Sequence, residues 1–261
     1  MIAMIAQPTS DNQVPRYPIT WRVAGDLAWA MLARRRRSFV RDARRAVAAL
    51  RPPLEIIGGE HVPATGPLLV ACNHYSRPGF QAWWVAFAIT AALAECRALG
   101  DDEEMAWVMT AAWRFETSRW RHRVLTPLSR RAFARIAGVY GFVAMPPMPP
   151  APEEMHERAA AVLRTLRLAR RLAQTGGLLG LAPEGRDVPV GLAEPPPGAG
   201  AFIALLVETG MRVLPAAVYE TEGRLRVRFG PPFVPAVPAD RAARDRAVAA
   251  QVMDAIARLL S

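Results

Sequence analysis

The chain has 261 residues and a mass of 28.6 kDa, with 52% hydrophobic and 21% charged residues and a mean hydropathy of +0.09. These values exclude a wholly disordered chain and a polytopic membrane protein, and the length suits one large α/β domain better than two small ones. The formal net charge is +10, and because the sequence contains no Lys, all 33 basic residues are Arg. Such a charge favours anionic partners: phospholipid headgroups, nucleic acid or phosphorylated substrates.

Met1 to Asn12 lacks a basic region followed by an apolar one, so a cleaved signal peptide is not expected. Residues up to about Tyr17 read as loose. A helical region follows from Thr20 to about Leu50, and Arg51-Pro52-Pro53 ends it because Pro cannot continue a helix. Its first part, Trp21 to Ala33, carries Trp21, Leu27, Trp29 and Leu32 but also Arg22 and Asp26, and it runs into Arg34 to Arg37. It is too short and too polar to cross a bilayer. It suits a helix lying on one, with Trp and Leu in the interface and the Arg run, Arg41, Arg44 and Arg45 facing anionic headgroups. The competing reading is a surface helix with a solvated Arg face. Residues 1–50 are thus expected to form an N-terminal tail and amphipathic docking region, and residues 51–261 an α/β domain. Ala82 to Ala94 is apolar but also too short to span.

Leu54, Ile56 and Ile57 read as a strand and Gly58-Gly59 as a turn. Leu68 to Cys72 is a short apolar run suited to a buried strand. A helix with Trp83, Trp84, Phe87 and Ile89 follows. Met105 to Met109 reads as a strand, Trp113 to Ala137 as mostly helical, and Val139 to Val143 as a further strand. Pro146 to Pro152 must be loop. Glu153 to Gln174 is an amphipathic helix, acidic at its start and with Arg170 and Arg171 near its end, as the macrodipole favours; Gly176-Gly177 stops it. Leu178 to Ala182 is a strand, Val188 to Gly200 a loop, Ala201 to Thr209 a helix, Val213 to Tyr219 and Leu225 to Phe229 strands, and Asp240 to Leu260 a closing helix. This alternation predicts a mixed sheet flanked by helices. Cys72 and Cys96 make neither a disulfide framework nor a C-x-x-C metal site, which points to a reducing compartment and no bound metal.

Two segments at strand ends carry candidate chemistry. Asn73-His74-Tyr75-Ser76 places an imidazole on a strand-to-helix turn, where it can face a cleft and take a proton near neutral pH. Pro183-Glu184-Gly185-Arg186 combines a Gly that allows close backbone approach with an Arg able to hold a phosphate by paired hydrogen bonds. Each alone also fits an ordinary turn.

In this order the two segments resemble motifs of the glycerolipid acyltransferase family, which includes bacterial lysophosphatidic acid acyltransferase. Four blocks between about Leu54 and Pro235 carry the resemblance: Gly66-Pro67-Leu68-Leu69-Val70-Ala71-Cys72-Asn73-His74 with its lead-in Ile57 to Pro63, Gly138 to Val143, Leu181-Ala182-Pro183-Glu184-Gly185-Arg186, and Val213-Leu214-Pro215-Ala216-Ala217-Val218. The resemblance implies transfer of a fatty acyl group from acyl-CoA or acyl carrier protein to a hydroxyl of a lysophospholipid-like or other lipid acceptor, in phospholipid biosynthesis. It implies His74 as general base. Asn73, Ser76, Arg77, Pro183, Glu184, Gly185, Arg186 and Pro215 are implied around the substrate, with Arg186 on a phosphate and Pro215 in the cleft wall. It further implies a peripheral protein on the inner, cytoplasmic face of a phospholipid membrane, with no cofactor beyond the acyl donor.

Three positions depart from the family pattern. The Asp of H-x-x-x-x-D is Gly79, Arg186 arrives one residue early and is followed by Asp187, and no Arg follows Phe142. Asp101, Asp102 and Glu103 are candidates for a replacement carboxylate, against a plainer reading as a solvated acidic turn. A catalytically silent lipid- or acyl-binding protein of the same fold is therefore the alternative. No nucleic-acid partner is expected, since charge alone supports one and no recognised binding motif accompanies it. A serine hydrolase is disfavoured because no G-x-S-x-G elbow is present.

Overall fold

A computed structural model describes residue 17 and residues 21–100, 105–113, 115, 118–147 and 151–261. In chain order its elements are α1 (Trp21–Ala33), α2 (Phe39–Ala48), β1 (Glu55–Ile57), β2 (Leu68–Cys72), α3 (Trp83–Cys96), β3 (Met105–Thr110), α4 (Arg119–Tyr140), β4 (Val143–Met145), α5 (Met155–Thr175), β5 (Leu178–Leu181), α6 (Ala199–Val207), β6 (Arg212–Thr221), β7 (Arg224–Phe229) and α7 (Arg241–Leu260). The strands form one seven-stranded sheet in the order β1-β7-β6-β2-β5-β3-β4. Neighbours pair in parallel except β6 and β7, which form an antiparallel pair. The sheet is therefore mixed, as the alternation of elements predicts.

The central strand β2 shows why the sheet has two covered faces. All five of its residues are buried. Leu68, Val70 and Cys72 join the core beneath α2 and α3, while Leu69 and Ala71 join the core beneath α5, α6 and α7. Successive side chains of a strand point to opposite faces, so a continuous apolar run is what a strand buried on both sides requires. α3 is buried along nearly its whole length, with Trp84, Ile89 and Leu93 at the centre.

The strand expected over Val139 to Val143 begins later. Val139 and Tyr140 complete α4, and Gly141, at φ +73°, ends the helix in the left-handed conformation before β4 starts at Val143. The tertiary reason is Tyr140, whose hydroxyl donates to the buried Asp42 of α2 at 2.9 Å and whose ring packs with Phe39 and Phe142. Asp42 also receives Arg37 at 2.9 and 2.6 Å. α2 is thus bound into the same core as β2, β6 and α3, through Phe39, Val40, Ala43 and Ala46, and packing continues across residue 50. α1 buries only Val23 and Ala30 and leaves Trp21, Trp29 and Leu32 exposed. Among the described residues no helix is long and apolar enough to cross a membrane.

Candidate active site

The site is built at the carboxyl ends of the adjacent parallel strands β2 and β5, a common place for ligands in open α/β sheets. Asn73 extends the edge of β2 by pairing with β6: its amide donates to the Val218 carbonyl at 2.8 Å and accepts from the Val218 N–H at 2.8 Å. Asn73 is buried, and both ends of its amide are bound to this strand. His74 comes next. Its backbone N–H donates to Glu184 Oε1 at 2.7 Å, while the other Glu184 oxygen accepts from the Ala193 N–H at 2.5 Å. Glu184 is also buried, so its carboxylate ties the His74 backbone to the loop that follows β5.

A second tie runs the same way. The Val188 N–H donates to the His74 carbonyl at 3.0 Å, and the Ser76 N–H donates to the Val188 carbonyl at 3.2 Å, a short parallel bridge between the two loops. This bridge brings Asp187 beside His74. Imidazole Nδ1 lies 3.0 Å from Asp187 Oδ1, with the His74 side chain 28% and the Asp187 side chain 64% exposed. Nδ1 has no aligned hydrogen-bond partner, so the contact is a close approach of the carboxylate and not a straight hydrogen bond. The His74 contact holds the Asp187 carboxyl below its ordinary value despite the opposing effect of partial burial, and Ser76 adds to the lowering. With the Asp187 carboxylate on the Nδ1 side of the ring, Nε2 is the nitrogen that faces away from it.

Gly79 shows why the expected carboxylate is absent from its motif position. Arg77 and Phe80 exchange two backbone hydrogen bonds at 2.9 Å around Pro78-Gly79, and Gly79 has φ +85°. Pro then Gly at the two central positions is the composition of a type II turn, whose third residue requires positive φ. The position is taken by a turn, and the carboxylate beside His74 is Asp187 of the neighbouring loop.

The remaining expected site residues divide. Ser76 stands at the His74–Asp187 pair. Pro183 is buried at the start of the second loop, while Gly185, at φ +63°, and Arg186 are exposed in it. Arg186 makes no ion pair or hydrogen bond among the described residues, which leaves its guanidinium available. Arg77 is committed: Nε and Nη2 reach the two Glu220 oxygens at 2.5 Å each. Pro215 pairs in register with Ala71, three positions before His74, and is buried in the sheet with its carbonyl accepting from the Gly230 N–H at 3.0 Å. Residues Val143 to Met145, where the family pattern places an Arg, lie on the edge strand three positions from β2. Asp101, Asp102 and Glu103 fall outside the described residues. Sequence reasoning did not assign Asp187, although it stands next to Arg186; it gave no role to Glu220 or Tyr17, and it named Tyr75 only as part of the His74 segment. A groove of about 460 Å³ lined by Arg44, Val47, Leu50 and Ala91 shares no lining residue with this site.

No family model matches the chain, and no curated protein matches it. Among solved structures the chain is similar to the 1-acyl-sn-glycerophosphate (LPA) acyltransferase PlsC from Thermotoga maritima. The identity is 15%, the match covers 92% of this chain and 87% of that one, and the TM-score is 0.46.

Proposed function

We propose that this chain is an acyltransferase that moves a fatty acyl group from a thioester, acyl-CoA or acyl carrier protein, to a hydroxyl of a lysophospholipid-like or other lipid acceptor. The observation that carries the reading is the His74–Asp187 pair at 3.0 Å, built from the two loops whose motifs resemble the acyltransferase family. The acceptor hydroxyl gives its proton to His74 Nε2 as its oxygen attacks the thioester carbonyl. The tetrahedral intermediate then expels the thiolate, which takes that proton from the imidazolium. Asp187 holds the ring in the tautomer that leaves Nε2 free and stabilises the charged imidazole. Arg186, exposed beside Asp187 and without a partner among the described residues, is the residue offered to an acceptor phosphate. No cofactor beyond the thioester is needed for this chemistry. The silent-binder alternative rested on the missing motif Asp, and Asp187 supplies a carboxylate in its place.

A peripheral position on the inner face of the membrane belongs to the same proposal. α1 packs on α4, and the exposed Trp21, Trp29 and Leu32 of α1 are joined by exposed Trp120, Val124 and Leu128 of α4. Arg35, Arg36, Arg121, Arg123 and Arg131 are exposed on the same two segments. Apolar aromatic side chains beside arginines suit an anionic bilayer surface. The test of the function is thioester release by purified protein with acyl-CoA and acyl carrier protein donors, over a panel of lysophospholipid and other acceptors, beside His74→Ala. Acceptor-dependent release that disappears in His74→Ala is expected. Release unchanged in His74→Ala, or none with any donor and acceptor, overturns the proposal.

A further inference from the structure

Glu220 sits at the far end of β6, four residues beyond Ala216, which pairs with the last residue of β2. β6 therefore reaches past β2 to the level of the His74 loop. There the Glu220 carboxylate collects four donors. Oε1 accepts from the Tyr17 hydroxyl at 2.7 Å and from Arg77 Nη2, and Oε2 accepts from the Tyr75 hydroxyl at 2.8 Å and from Arg77 Nε. The Arg77 and Glu220 side chains are only 15% and 10% exposed. A two-pronged, largely buried Arg–carboxylate pair with both tyrosines attached is far more specific than an exposed ion pair.

We infer that Glu220 is the positioning residue of the active site: through Tyr75 and Arg77 it sets where His74 stands, and it holds Tyr17 against the same loop. This rests on His74 acting as the base, as proposed above. The turn that carries these side chains does not need Glu220 to close. It is held by its own Arg77–Phe80 backbone pair, and Phe80 is fully buried. What Glu220 adds is the placement of that turn against β6. His74 itself is held by Glu184 and Val188 on the β5 side, and its neighbour Tyr75 is held by Glu220 on the β6 side. Tyr17 packs into the same cluster: its ring lies edge-on to Phe80 at 4.8 Å, 5.6 Å from Trp84, and 5.8 Å from the Arg77 guanidinium.

The charge states fit a permanent brace. Burial pushes the Glu220 carboxyl up, but hydrogen bonds from Arg77, Tyr17 and Tyr75 outweigh it and hold the group below its ordinary value. Burial and the Glu220 contact push the Tyr75 phenol up to about 12 and the Tyr17 phenol higher still. At neutral pH the set is one anion, one cation and two neutral phenols.

The experiment compares Tyr17→Phe, Glu220→Gln and the double variant in the full chain. Tyr17→Phe keeps the ring packing and loses one hydrogen bond. Misplacing a catalytic group by about 1 Å can cost around 100-fold in rate. On that scale kcat is expected to fall roughly 3–10-fold in Tyr17→Phe and more than 10-fold in Glu220→Gln, with KM for the thioester within about twofold. The double variant should be no slower than Glu220→Gln, because both changes act through one carboxylate. A second readout needs no activity: in protein carrying ¹⁵N-labelled His, the ring-nitrogen shifts of His74 should move in Glu220→Gln while those of His61, His122 and His156 stay. Unchanged kcat and unchanged His74 shifts in both single variants would overturn the inference. So would effects that multiply in the double variant, or shifts that move for all four His together, the mark of a general loss of structure. If the parent transfers no acyl group, the function proposal fails, and the His74 shifts still decide the positioning.

Discussion

Removing the Asp187 carboxylate is the sharpest test of the site. In Asp187→Ala the imidazole loses its anionic partner, and in Asp187→Asn it gains an amide that can donate to Nδ1. Donation to Nδ1 favours the tautomer with the proton on Nε2, the wrong one for a base. The two variants should therefore differ, Asn being the slower. A fully buried orienting Asp can be worth about 10⁴ in kcat. Asp187 is 64% exposed and its approach to Nδ1 is off-line, so solvent screening reduces its share. The expected loss is roughly 10–100-fold in Asp187→Ala, about 1.4–2.7 kcal/mol of transition-state stabilisation. The assay is thioester release from acyl-CoA at saturating donor and acceptor, with thermal melts to show that the fold is intact. Asp187→Ala within twofold of the parent, or Asp187→Asn as active as the parent, would refute the assignment of Asp187 to the imidazole.

Gly79→Asp restores the letters of the family motif, but the position has φ +85° and a Cβ there would lie 3.4 Å from Arg77 Nη1. It is expected to cost about 1–2 kcal/mol in stability and to leave the activity of Asp187→Ala unrescued, both read by melting and by thioester release. The Glu220 carboxyl lies below its ordinary value of 4.5, so its pairing stabilises the fold fully above that value and loses the contribution as pH falls through the lower folded-state value. Melts taken from about pH 5 down to about pH 3 should thus fall more steeply for the parent than for Glu220→Gln. A Cβ at Gly200 would sit 1.9 Å from the Asp245 carbonyl of α7. Gly200→Ala is expected to separate α6 from α7 at a cost of about 2–3 kcal/mol, a drop in Tm of roughly 5–10 °C for a chain of this length. Trp21→Ser, Trp29→Ser and Leu32→Ser together should release the protein from anionic vesicles in a sedimentation assay with the melt unchanged, since all three side chains are exposed.

Local pattern carried much of this protein. Leu68 to Cys72 declared a buried strand by its unbroken apolar run, and Pro52-Pro53 and Gly176 marked the ends of α2 and α5 as expected. His74 was legible only through the combination of its segment with Pro183-Glu184-Gly185-Arg186 and the resemblance both carry, because an Asn-His pair alone also fits an ordinary turn. The limits of α4 were not legible, because Tyr140 is held in the helix by Asp42, a residue 98 positions away. Arg77 and Glu184 read as substrate ligands because a free charge and a committed one look alike in a sequence. Only their partners, Glu220 and two backbone amides, separate the cases.

The sequence by itself determined the class of fold, the strand that ends at His74 and the choice of His74 as the candidate base, because these follow from short-range periodicity and residue chemistry. The tertiary structure decided which carboxylate stands beside His74. That choice depends on two loops 110 residues apart meeting across neighbouring parallel strands, with Val188 bridging His74 and Ser76 so that Asp187 falls at Nδ1. Spacing along one chain segment can say that position 79 holds no Asp, but only packing between segments can supply one from elsewhere.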